Sequence, residues 1–141
     1  MNFRKAALAS AVLTALPVNG SAVCADAHPL LGTSWTVQKV QGVEVPAGLT
    51  LTFAADRVTG TTGCNQFWAP VDYAESTAID VGAPQSKRLY CFGAMSIERA
   101  YLASLETVER FTIERGTLKM MMPDGEVFLE LTGQPETKSA P

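Results

Sequence analysis

The sequence predicts a β-rich α+β domain: a curved antiparallel sheet or partial β-barrel with one helix packed on it. Three observations carry that prediction. Apolar and polar residues alternate over short stretches, most cleanly in Leu49-Thr50-Leu51-Thr52-Phe53. Turn residues punctuate these stretches at Gln41-Gly42, Pro46-Ala47-Gly48, Gly82-Ala83-Pro84, Arg115-Gly116 and Pro123-Asp124-Gly125. Only Met95 to Val108 has convincing helical periodicity, and a lone amphipathic helix needs a sheet to cover. At 141 residues the chain has room for one core.

The first 25 residues read as a secretory signal peptide. Arg4 and Lys5 precede an eleven-residue apolar run, Ala6 to Leu16, and Pro17 and Gly20 then break it. Eleven residues are too few to cross a bilayer as a helix. Val23-Cys24-Ala25 and Ala25-Asp26-Ala27 both offer small-x-small cleavage sites, so the cut falls after Ala25 or as late as Ala27. The expected location is the periplasm, with no transmembrane span after cleavage. A rival reading makes Cys24 the lipidated first residue of an anchored lipoprotein, although Val23 is larger than the residue that chemistry prefers before the cysteine.

Within residues 28–132, Thr33 to Val40 reads as a strand with Trp35 and Val37 on one face. Leu49–Phe53 follows, with Thr50 and Thr52 toward water, and Arg57 to Thr62 returns as its partner. The hairpin ends in a sharp turn at Gly63-Cys64-Asn65, where Gly and Asn tolerate positive φ. Val71–Ala74 and Thr77–Val81 read as a pair of short strands, and Gln85–Tyr90 as a polar, basic loop. In the helix, Ile97, Tyr101, Leu102, Leu105 and Val108 form the apolar stripe. Ser96 is the expected N-cap, and Glu98 and Glu106, off the stripe, are expected in water. Phe111–Glu114, Thr117–Met122 and Glu126–Leu131 complete the sheet, and 133–141 reads as a disordered tail.

The net charge of −3, with no run of Lys or Arg, speaks against nucleic acid and anionic membrane surfaces as partners. Once the signal is cut, Cys64 and Cys91 remain, an even number in an exported chain, and they are expected to form a disulfide. No enzyme is expected. A thiolate nucleophile at Cys64 needs a base, and the one histidine, His28, stands at the mature N-terminus. No cofactor and no metal are expected: two cysteines cannot complete a zinc site, and Met121 alternates away from Met120 and Met122. Asp72, Glu75 and Asp80 have no spacing that fits glycosidase chemistry. Phe67 and Trp68 are the candidate binding aromatics; being adjacent on an extended segment, one faces the core and the other is partly exposed.

Gly60-x-x-Gly63-Cys64-Asn65-x-Phe67 resembles the Gly-Cys-Asn motif of the META domain, the family of the heat-shock protein HslJ. Glu98-x-x-Tyr101-x-x-x-Leu105 is similar to that family's helix, and Trp35, Leu51-Thr52-Phe53 and the closing hairpin Phe111–Leu129 also fit. Ala69 and Val71 stand where the family usually has Gly and Tyr. Lys87-Arg88-Leu89-Tyr90 precedes Cys91 where a Thr-rich or Met-Ala segment is common. The resemblance implies a barrel-like α+β domain of the bacterial envelope, linked to stress, antibiotic tolerance or virulence, with no catalytic residues to carry over. The expected function is therefore a non-catalytic exported binding or structural protein, a monomer whose partner is an envelope protein. The alternatives are a small-ligand binder using the mouth of the curved sheet, or an enzyme inhibitor.

Overall fold

The computed structural model describes residues 28–133. The expected signal peptide, Cys24 and residues 134–141 lie outside the described residues. Ten strands and one helix follow in the order β1 (Ser34–Val40), β2 (Val43–Glu44), β3 (Leu49–Phe53), β4 (Arg57–Thr62), β5 (Gln66–Glu75), β6 (Ala78–Val81), β7 (Gln85–Ser86), α1 (Met95–Thr107), β8 (Arg110–Glu114), β9 (Thr117–Met121) and β10 (Val127–Gly133). Every pairing is antiparallel. Around the ring β1-β3-β4-β5-β6-β8-β9-β10, the last strand pairs back on the first, so the sheet is a closed eight-stranded barrel. The β6–β8 seam is the shortest, one registered pair, Ala78 with Arg110, flanked by Ile79 N–H to Glu109 O and Phe111 N–H to Thr77 O.

The alternation read in the sequence fills the barrel. Leu49, Leu51 and Phe53 point in with Val58, Phe67, Leu118, Met120, Leu129 and Leu131, all buried. β5 differs from the sequence expectation: it is one ten-residue strand, running from Gln66 through Pro70. Its first part pairs with β7 and its last part with β6, and Pro70 sits where the partner changes. The polar segment read as loop therefore contributes a strand, Gln85–Ser86. Gly82 allows the change of partner, because a Cβ there would meet Pro70 Cγ at 2.6 Å. β10 reaches Gly133, one residue into the expected tail.

Helix α1 contacts β1, β4, β6 and β10. β1 and β6 stand on opposite sides of the ring, so the helix lies across one opening of the barrel. Tyr101 and Leu105 enter the core; the Tyr101 ring meets Phe67 edge-on at 5.5 Å, and its hydroxyl donates to Thr50 O at 2.9 Å. The N-cap is Ala94, with no side-chain cap bond, so Ser96 does not cap the helix. The opposite opening is closed by residues 28–33. Leu30 is fully buried, Gly32 N–H donates to Phe53 O, and His28 packs on Tyr73 and Phe111.

Candidate functional site

The Gly-Cys-Asn turn lies under the helix end and ties three pieces of chain together. Gly63 takes φ of 86°, the left-handed conformation that only glycine adopts without strain. Cys64 is disulfide-bonded to Cys91 across a sequence separation of 27, with a Cα–Cα distance of 5.8 Å. Asn65 is buried. Its amide donates to both carboxylate oxygens of Glu98, at 2.9 and 3.2 Å, and to Leu89 O at 3.0 Å; its Oδ1 accepts from Leu89 N–H at 3.1 Å. One side chain thus holds the helix and the 87–94 segment at once.

Glu98 is therefore not in water, as its place off the apolar stripe suggested. It is 5% exposed, because the helix turns this side toward the β4–β5 turn, and the Asn65 amide compensates its burial. Gly60 has a different role from Gly63. A Cβ at Gly60 would stand 2.8 Å from the Phe67 ring and would run into Thr50 O, so the bare backbone lets Phe67 pack inward beside β4. Phe67 is buried and Trp68 is 44% exposed, as their alternation required.

Trp68 stands in the middle of a polar face on the outside of the barrel. The cross-strand row Thr52–Thr59–Trp68–Gln85 runs across β3, β4, β5 and β7. A second row, Thr50–Thr61–Gln66, lies beside it, with the Thr50 and Thr61 hydroxyls 3.0 Å apart. The Arg57 guanidinium lies 5.3 Å from the Trp68 ring centroid and also pairs with Asp56 at 3.4 Å. Together with Lys87 on its rim, this face encloses an open groove of about 650 Å³. The small-ligand reading placed a pocket at the mouth of the sheet. That mouth is filled by Tyr101 and Leu105, and the groove is on the outer wall.

A META-domain family model matches residues 28–134. The chain belongs to the META-domain family. Solved structures agree in fold. An NMR structure of a protein from Burkholderia xenovorans is similar at 21% identity with a TM-score of 0.61, covering 76% of this chain and 85% of that one. A crystal structure of a DUF4847 family protein from Bacteroides vulgatus is similar at 9% identity with a TM-score of 0.55, covering 74% of this chain and 94% of that one. No curated protein sequence is significantly similar to the chain. In this META domain the motif residues Gly63, Cys64, Asn65 and Glu98 form a clamp on one end of the barrel, while Gly60 and Phe67 shape its wall.

The groove itself was legible only in part. Trp68 was singled out from its position beside Phe67. The threonine rows could have been found by extending the outward set Thr50, Thr52, Thr59 and Thr61 across the hairpin register. Gln85 and Lys87 join only through β7, a strand of two residues that leaves no periodic signal. Among the described residues, no three His, Cys, Asp or Glu side chains converge as metal ligands. No helix there is long and apolar enough to cross a membrane.

Proposed function

We propose that this META-domain protein is exported to the cell envelope and acts there by binding, supporting the envelope under stress or antibiotic challenge. The observation that carries the binding role is Trp68. The Trp68 ring stands 44% exposed, with Arg57 beside it, in a groove that Phe67 also lines and whose other side chains carry hydroxyls, amides and two cations. An aromatic face stacks on the apolar face of a ring, and ranked Thr and Gln side chains serve a ligand rich in hydroxyls. A saccharide-type ligand matches that chemistry.

Support for a non-catalytic role comes from what the reactive groups already do. Among the described residues, the Cys64 and Cys91 thiols are bonded to each other. His28 donates from Nε2 to Glu75 O at the far end of the barrel, 2.9 Å away. Export is supported by the residues 1–27 pattern and by a disulfide, which persists in oxidising compartments.

The test is a fluorescence titration with N-acetylglucosamine oligomers as the probe, on wild type and Trp68→Ala. Trp35 is buried and hydrogen-bonded to Thr33, so it supplies a constant background. A saturable change in the wild type that Trp68→Ala removes is the expected result. No change in the wild type at millimolar probe contradicts the saccharide reading.

A further inference from the structure

The loop after β7 exposes apolar side chains that the rest of the molecule buries. Leu89 is 60% exposed, Tyr90 76% and Phe92 95%, three large apolar residues within four positions. Two ties hold the backbone around them. Cys91, between them, is bonded to Cys64, and both backbone groups of Leu89 are held by Asn65. The clamp fixes the loop in this exposed state.

The charge around the loop is opposite in sign to that of the chain. Net charge is −3, yet no Asp or Glu occurs from Gln85 to Ile97, and Lys87 and Arg88 stand at the base of the loop. Arg88 and Arg99 line the same shallow depression beside it, with the Glu98 carboxylate that Asn65 holds at its floor, and Lys87 edges the groove. Among the described residues none of the three cations is in an ion pair. The chain-wide charge that spoke against anionic membranes therefore does not describe this end of the molecule.

We propose that this loop docks the domain on the surface of a bilayer containing anionic phospholipid. Tyr90, Phe92 and Leu89 enter the interfacial region, and Lys87, Arg88 and Arg99 meet the lipid phosphates. Aromatic residues favour the headgroup level, and cations at the base of an apolar tip meet the phosphates as the tip enters. The proposal shares only Lys87 with the Trp68 groove, which lies on the outer wall, and does not use Trp68.

Residues 28–133 contain the whole closed barrel and its core, so the domain 28–134 is the unit to test, free of the apolar run at Ala6 to Leu16. Oxidised domain is sedimented with vesicles of phosphatidylcholine alone and of phosphatidylcholine mixed with phosphatidylglycerol. Binding to the mixed vesicles is expected, with little to phosphatidylcholine. The triple variant Leu89→Ser, Tyr90→Ser, Phe92→Ser is expected to stay in the supernatant, and Lys87→Gln with Arg88→Gln to weaken binding about tenfold or more. All five positions are exposed at the loop, and a cooperative urea melt shows that each variant is folded. Absence of binding to mixed vesicles, equal binding to both vesicle types, or full binding by the triple variant would each overturn the proposal. Failure here leaves the saccharide titration untouched, since that experiment reads Trp68.

Discussion

At one end of the barrel, helix α1 lies across the opening and is fastened by a disulfide, by Asn65 to Glu98, and by Gln41 to Ser104 at 3.2 Å. At the other end six residues of irregular chain, His28 to Thr33, close a similar opening with one buried leucine and a few backbone bonds. The second solution shows how little is needed to seal a barrel of this size: an apolar plug and satisfied backbone groups. The first contains more than sealing requires, including a buried carboxylate, a buried amide and a covalent bond. What the extra parts hold is the 87–94 loop and the start of the helix. The comparison assigns the N-terminal end to closure alone and the helix end to closure plus display.

Breaking the comparison begins with its strongest tie. The Cys64→Ser, Cys91→Ser variant should lose roughly 3–4 kcal/mol in the chain-entropy account. That is a large share of a typical total of roughly 5–15 kcal/mol, and denaturant melts of the two proteins measure it directly. At the other end, Leu30→Ala should cost about 3 kcal/mol, because it empties a fully buried site. A loss below about 1 kcal/mol would show that residues 28–33 do not plug the barrel.

Asn65→Ala removes the amide that serves the Glu98 carboxylate, and should cost about 2–3 kcal/mol. Replacing Glu98 by Gln in that background should recover part of the loss, and the double-mutant cycle reads the coupling. His28→Ala, the counterpart at the far end, should cost less than about 1 kcal/mol, since its bond to Glu75 O is exposed.

The smallest effect is on alkaline stability, and it samples both ends. Burial holds the Tyr101 phenol well above its ordinary value and pushes Tyr73 up to about 12. Unfolded tyrosine ionises near 10, so above that pH the unfolded chain binds fewer protons than the folded one. The stability from keeping these phenols neutral is complete below pH 10 and falls as pH rises toward 12. Tyr101→Phe should flatten that decline more than Tyr73→Phe, because Tyr101 is the more deeply buried. Urea melts at neutral pH and above pH 10 check the order.

The wall of the barrel was largely legible in the sequence, and its helix end was not. Leu49–Phe53 and Arg57–Thr62 were placed residue for residue, because period-two alternation reports which face is buried. The disulfide followed from cysteine arithmetic, and the motif residues from their resemblance to the META domain. Closure into a ring was not legible, since it rests on non-local pairs such as Trp35 with Gly133. Glu98 was misplaced because a hydrophobic stripe ranks helix faces by apolar content, and a carboxylate paired with a buried amide counts as polar on that scale. The two-residue β7 likewise carries no periodic signal, yet it sets the edge of the groove.

The central claim is that Asn65 and the Cys64–Cys91 bond form a clamp specific to the helix end. Native-state hydrogen exchange on wild type and Asn65→Ala tests it residue by residue. Amides of Met95–Thr107 and of residues 87–94 should lose protection in the variant, while Gly32 and Phe53, bonded at the opposite end, keep theirs. A loss of protection spread evenly over both ends, or none at the helix, would contradict the account.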